Sequence, residues 1–201
     1  MSTPPIARAW AEVGYFSRQR AVRETAERAY HRVVEQARQP VFFGEYGVPD
    51  TVDGRFELIC LHAFLYLHRL KSEPGSAAVS QAFFDTMFAD MDRGLREMGT
   101  GDLSVGRHVK RMAQGFYGRI RAYQDGLESG DEVLSAALAR NLFGTIGESA
   151  PAIDVVADYV RGAANQLARQ PGDKLLNGDL HFPTPSPGIS TPASAERTAA
   201  S

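Results

Sequence analysis

The sequence has little of what most membrane and secreted proteins require. Its 201 residues include a single cysteine, Cys60, and a lone cysteine cannot form a disulfide within the chain. The longest apolar stretch is about ten residues, roughly half of what a helix needs to cross a bilayer. The first ten residues lack the apolar core of a secretion signal. The net charge of -2 gives no reason to expect nucleic-acid binding. These absences favour a soluble cytoplasmic protein.

The short motifs of common catalytic and metal sites are also missing. The sequence contains no glycine-rich phosphate loop, no metal-type cysteine pair and no nucleophile motif of the hydrolases. His62 and His68 are six residues apart, which places them about 240° apart around a helix and on different faces. No Glu-x-x-His pair of the di-iron bundles is present. We therefore expect a protein that is not an enzyme and that holds no metal or cofactor.

Helical periodicity is what the sequence does contain, and it centres on residues 54–71. Between residues 58 and 67 the only strongly polar side chain is His62. A helix that is apolar all round is surrounded by protein or by lipid, and this run is too short for lipid. The predicted fold is all-α: a single compact bundle of about six helices around this buried central helix.

Apolar residues at spacings of three and four predict the other helices. These cover about residues 17–39, 76–98, 102–127 and 131–143, and a last segment runs from near Pro151 to before Pro171. Ser17 is a candidate N-cap of the first helix. The expected organisation is an N-terminal arm at 1–17, a helical domain at 18–182 and a disordered tail at 183–201, where Pro, Ser, Thr and Ala dominate.

An aromatic segment, residues 40–52, precedes the central helix and contains Phe42, Phe43 and Tyr46. Such a segment either folds onto the core as a lid or meets another molecule. Aromatic side chains are usually buried, which favours docking against the core.

Several charged residues have a structural and a functional interpretation. Asp85 and Asp92 share one face of a helix and could hold Mg²⁺. A solvated face with an ion pair between Asp92 and Arg96 is favoured, because no phosphate-binding group accompanies the two carboxylates. Arg119 lies at the edge of an apolar stripe, where an unpaired charge is costly, and Glu57 is its predicted partner.

A basic face on one helix is formed by Arg107, Lys110, Arg111 and Arg121. Solvation is the favoured interpretation of such a face. The alternative is contact with an anionic surface, whether acidic lipid, ribosomal RNA or an acidic partner. Each cation near an anionic membrane contributes about 1 kcal/mol, so four would support peripheral binding.

Two sequence blocks resemble the ubiquinol–cytochrome c chaperone family. The first is YGVPDTVDGRFEL at residues 46–58. The second is DMDRGLREMG at residues 90–99, followed by GDLSV at 101–105, VKRM at 109–112 and FYGR at 116–119. Their order and spacing carry the resemblance, which covers about residues 30–145. No transit segment is recognisable before the domain, so we expect a bacterial member.

The resemblance implies a non-enzymatic assembly chaperone of the ubiquinol–cytochrome c reductase (respiratory complex III) that binds newly made cytochrome b or another reductase subunit as its client. It implies a cytoplasmic protein with peripheral contact to the inner membrane or the ribosome. Phe42, Phe43 and Tyr46 become candidates for an apolar client-binding surface, and the basic face becomes a candidate membrane or ribosome contact. The remaining motif residues are expected to be mainly structural: Gly54, Arg55, Glu57, Asp90, Asp92 and Arg119. The alternative is a helical enzyme or carrier of isoprenoid quinone metabolism, with Mg²⁺ at Asp85 and Asp92.

Overall fold

The computed structural model describes residues 5–99, 101–144 and 153–186. Within these ranges the chain is helical and contains no strand, which confirms the all-α prediction. Six long helices match the expected number: α1 (Pro5–Ala37), α3 (Val52–Leu70), α4 (Ala77–Glu97), α5 (Asp102–Ser129), α6 (Asp131–Leu142) and α7 (Ile153–Ala168). Two five-residue helices are added to them, α2 (Pro40–Gly44) and α8 (Gly172–Leu176).

Helix α3 begins at a side-chain cap and carries the most continuous apolar sequence of the chain. The Thr51 hydroxyl accepts a hydrogen bond from the Gly54 N–H at 3.1 Å, which satisfies one of the free N–H groups of the first turn. Residues 60–66 are all buried, so the helix has no solvated face over these two turns. It contacts α1, α5, α6, α7 and α8, and their apolar stripes complete the core.

Helix α1 begins twelve residues earlier than its periodicity predicted. The expected start was Ser17, yet the helix is continuous from Pro5 to Ala37. Pro is well tolerated in the first helical turn, since its missing N–H would have no intrahelical partner there. An interior glycine such as Gly14 costs only about 1 kcal/mol, so nothing in residues 5–16 compels a break.

The segment between α1 and α3 folds onto the core. Phe42, Tyr46 and Val48 are buried, and the chain turns at Gly47, whose φ of 72° lies in the left-handed region that glycine adopts without strain. Residues 40–52 therefore contribute to the interior as well as linking two helices.

The C-terminal part of the described chain returns to the first helix. After α8, Gly178 packs so closely on α1 that a Cβ there would lie 2.5 Å from the Thr25 carbonyl oxygen. Residues 181–186, hereafter the strap, then run in an extended conformation. The expected tail began at residue 183, but Pro185 is buried, so the strap still belongs to the folded part. Residues 187–201, and the predicted helix start near Pro151, lie outside the described residues.

Candidate functional site

A buried ion pair joins the two blocks that carry the family resemblance. The Arg119 Nε on α5 donates to the Glu57 Oε2 on α3 at 2.5 Å, and Nη2 bonds the second carboxylate oxygen. The Glu57 side chain is only 9% exposed and that of Arg119 22%. The hydrogen bond to Glu57 raises the pKa of Arg119, so the guanidinium stays charged. The predicted partnership is confirmed, and its geometry is that of a bidentate structural pair.

The loop before α3 is held by a second, exposed pair. The Arg55 Nε donates to the Asp50 Oδ1 at 2.6 Å, which lowers the pKa of the Asp50 carboxyl. Gly54 has no room for a side chain, since a Cβ would lie 2.0 Å from the Pro49 carbonyl oxygen. The glycine therefore allows the loop to fold back against the first turn of α3.

The acidic residues of α4 have protein partners. Asp90 accepts from the Tyr30 hydroxyl at 2.8 Å and pairs with Arg93 at 2.5 Å. Asp92 pairs with Arg96 at 2.6 Å, as the sequence suggested. Desolvation, followed by the bond to Asp90, raises the pKa of Tyr30. These contacts tie α4 to α1 and to its own last turns.

The magnesium alternative finds little support in this arrangement. Asp85 accepts from the Gln81 amide at 2.8 Å and faces an open groove of about 1330 Å³ between α1 and α4. Asp92 does not line that groove. Within the described ranges, no group of three or more histidine, cysteine, aspartate or glutamate side chains is placed to hold a metal ion. A prenyl diphosphate site would need carboxylates gathered around shared metal ions.

The three aromatic residues expected on a client surface differ in their burial. Phe42 and Tyr46 are 0% and 1% exposed, so in this conformation they cannot meet another protein. Phe43 is half-buried, and the Arg55 guanidinium lies 5.8 Å from its ring centre. Phe42 and Tyr46 are buried because they pack into an aromatic cluster with residues of α3 and α7.

That cluster surrounds a buried polar network that sequence reasoning missed. His62 Nδ1 lies 2.7 Å from the Leu58 carbonyl oxygen and Nε2 lies 2.8 Å from the Tyr159 hydroxyl. Because a carbonyl only accepts, Nδ1 carries the proton and Nε2 accepts from Tyr159. The Tyr159 oxygen in turn accepts from Gln36 at 2.9 Å. Burial lowers the pKa of His62 to about 4, so the imidazole is neutral at physiological pH.

The basic face of α5 lies in solvent. Its members, Arg107, Lys110, Arg111 and Arg121, are all exposed. Arg121 lies 4.0 Å from Asp125 with 88% of its side chain accessible, and such exposed pairs contribute little. No acidic residue occurs between residues 103 and 124, so Arg107, Lys110 and Arg111 have no acidic neighbour within one turn on the C-terminal side, whereas Arg121 has Asp125.

An exposed aromatic ring borders the basic face. Tyr117 is 60% exposed and stacks on Phe84 of α4, with ring centres 5.6 Å apart. Phe84 also packs on Phe88 at 4.5 Å. On the same helix, Tyr117 follows Lys110 by two turns, and Arg121 follows Tyr117 by one turn, so cations and aromatic ring share one side. No described helix is long and apolar enough to span a bilayer.

Comparisons with known proteins now identify the class. Residues 44–182 match the family described as ubiquinol-cytochrome C chaperone. Since this match spans well over half of the sequence, the chain belongs to the ubiquinol-cytochrome C chaperone family. The match also reaches 37 residues beyond residue 145, where the sequence resemblance was expected to end.

Relatives and a solved structure agree with this assignment. The chain is 28% identical to ubiquinol-cytochrome-c reductase complex assembly factor 1 of Xenopus laevis, over 79% of this chain and 80% of that protein. It is 29% identical to the factor of the same name from Homo sapiens, over 80% of this chain and 54% of that one. The crystal structure of the Cbp3 homolog from Brucella abortus superposes with a TM-score of 0.76 at 36% identity, covering 86% of this chain and 96% of that one.

Proposed function

We propose that this protein is a non-enzymatic assembly chaperone of the ubiquinol–cytochrome c reductase. The observation that carries the proposal is the family match over residues 44–182, together with relatives named as reductase assembly factors along about four-fifths of the chain. The geometry supports a holding role. The charged motif residues Glu57 and Arg119 pair with each other, and Asp90, which borders the groove between α1 and α4, pairs with Tyr30 and Arg93.

The client in this proposal is newly made cytochrome b, held at the cytoplasmic face of the inner membrane. The basic face supports the location, because four exposed cations on one helix side would each gain about 1 kcal/mol near anionic lipid. Tyr117 adds an exposed aromatic ring beside them, and aromatic rings favour the interface between lipid headgroups and hydrocarbon. The chain would then lie on the membrane through α5 without crossing it.

A deletion strain tests the assembly role. Loss of the gene should lower the amount of assembled reductase while its transcripts stay at normal levels, and the chaperone should co-purify with cytochrome b from detergent-solubilised membranes. Normal reductase in the deletion strain would refute the proposal. If the deletion strain has less assembled reductase but cytochrome b does not co-purify with the chaperone, the assembly role stands and cytochrome b is refuted as the client.

Liposome flotation tests the membrane contact with a matched control. Replacing Arg107, Lys110, Arg111 and Arg121 by glutamine should abolish flotation with vesicles rich in phosphatidylglycerol. Replacing four exposed, ion-paired arginines elsewhere should leave flotation intact: Arg20, Arg23, Arg32 and Arg93. Binding to neutral vesicles, or binding that survives high salt, would contradict an electrostatic contact.

A further inference from the structure

The strap, residues 181–186, covers the aromatic cluster that buries Phe42 and Tyr46. Phe182 packs edge-on against His62, with ring centres 5.1 Å apart. Pro185 is buried, and the strap passes over Tyr46, whose hydroxyl reaches Ser186. The groove under the strap is thus formed by the end of α1, the turn after α2, and the facing sides of α3 and α7.

The hydrogen bonds that hold the strap reach its main chain. Gln170, in the turn after α7, accepts from the His181 N–H at 2.9 Å and donates to the His181 carbonyl at 2.7 Å. Gln36 of α1 donates to the Pro183 carbonyl at 2.9 Å, and the Tyr46 hydroxyl donates to the Ser186 carbonyl at 2.8 Å. Gln166 adds a longer bond of 3.3 Å to the His181 carbonyl. Main-chain bonds of this kind accept any extended segment, whatever its side chains.

Side-chain selectivity in the groove comes from two positions. One is filled by Phe182 against the neutral imidazole of His62, and the other by Pro185. The two are three residues apart, about 10 Å in an extended chain. The groove therefore has the properties of a peptide-binding site: main-chain donors and acceptors along its length and two apolar positions at a fixed spacing.

The family match covers most of the groove and only the start of the strap. Tyr46, His62 and Gln170 lie within residues 44–182, which match the family, as do His181 and Phe182, whereas Gln36 lies before the match and residues 183–186 lie beyond it. Most of the binding surface and the aromatic anchor Phe182 thus belong to the shared domain, and the proline-containing end of the strap does not. We propose that this groove binds an extended segment of the client in which an aromatic residue precedes a proline by three positions, and that the strap occupies the groove until such a segment displaces it.

This inference rests on the proposed chaperone function and names the surface through which it acts. It explains why Phe42 and Tyr46, whose aromatic side chains are suited to an apolar client, are buried in the isolated chain. A tethered segment competes at an effective concentration in the millimolar range. The strap would therefore keep the aromatic cluster covered in the absence of client and yield only to a segment presented at high local concentration.

Peptide binding to the full chain tests the proposal. The probe is a fluorescent peptide with the sequence of residues 179–186, measured by anisotropy. The F182A/P185G variant weakens the strap and leaves every groove residue unchanged, so it should bind the probe at least tenfold more tightly than the unmodified chain. T184A is the matched control, because Thr184 is exposed, and it should bind as weakly as the unmodified chain. A probe with alanine at the phenylalanine position should lose the gain.

A measurement on the unmodified chain guards against a folding defect in the variant. Millimolar probe should displace the strap, and the His181 amide, which is bonded to Gln170, should then exchange its hydrogen at least tenfold faster. Equal probe binding by the folded F182A/P185G and T184A variants would overturn the proposal. So would unchanged exchange at His181, or equal binding of the alanine probe. These outcomes are distinct from normal reductase levels in a deletion strain, which would refute the chaperone function itself.

Discussion

Removing Arg119 should cost more stability than removing its partner Glu57. The bidentate pair is buried, with side-chain exposures of 22% for Arg119 and 9% for Glu57. Breaking a buried pair from one side destabilises a protein by about 3–5 kcal/mol, because the remaining charge stays desolvated. In Arg119→Ala the remaining charge is the carboxylate of Glu57, the more buried of the two. We therefore expect a loss of about 4 kcal/mol.

The reverse substitution leaves the charge that can reach water. In Glu57→Gln the guanidinium of Arg119 keeps its position over the Phe56 ring, 5.6 Å away, and its head lies near the surface. We expect a loss of about 2–3 kcal/mol, at or below the lower limit of the range for buried pairs. The double variant should lose less than the sum of the two, since it buries no unpaired charge.

Urea denaturation followed by helical circular dichroism measures these differences. For a domain of this size, about 4 kcal/mol corresponds to a fall in melting temperature on the order of 10 °C. The exposed pair between Asp50 and Arg55, 2.6 Å apart with side chains 55% and 59% exposed, is the matched control. Asp50→Ala should give a barely detectable change. Equal losses for the buried and the exposed pair, or additive losses in the double variant, would refute the role given to burial.

The remaining predictions concern a glycine and a histidine. Gly54→Ala should destabilise the protein in spite of the higher helix propensity of alanine, because its Cβ would overlap the Pro49 carbonyl. Gly106 has open space around it, so the control variant Gly106→Ala should stabilise the protein by up to about 1 kcal/mol. A stable Gly54→Ala variant in thermal melts would contradict the packing described for that loop. The pKa of His62 is lowered from 6.5 to about 4, so its contribution is complete above pH 6.5 and is lost as the pH falls to 4, by about 3 kcal/mol in total. His62→Gln should flatten this part of the stability profile, and an unchanged profile would show that another group titrates there.

Local periodicity was sufficient to predict most of the helices and one long-range contact. In α4 and α5, the apolar residues spaced three and four apart lie on the faces that are buried, so their periodicity predicted the helices directly. The pair between Glu57 and Arg119 was predictable because an arginine at the edge of an apolar stripe needs an anion, and few acidic residues are available to the core. The cap of α3 is of the expected residue type, because the hydroxyl of Thr51 accepts from the first turn.

Contacts between distant segments were not predictable, since they leave no periodic signal. His62 bonds Tyr159, and Gln36 bonds Pro183 of the strap. Both of these partners are more than ninety residues away in sequence. The strap itself has the composition of a disordered tail. Proline lacks an N–H, however, so the proline-rich strap needs few partners when it is ordered. Gln36, Tyr46 and Gln170 satisfy its carbonyl groups, and this arrangement becomes visible only in three dimensions.

The packing of the C-terminal segment on α1 has a consequence for how this protein folds during its synthesis. Arg28 holds the Asn177 carbonyl at 3.0 Å, and Gln36 holds the Pro183 carbonyl. These contacts of α1 therefore cannot form until residues near the C-terminal end of the described chain have been synthesised. Contacts so distant in sequence are formed late. The protein thus completes its native state only after synthesis has passed residue 183.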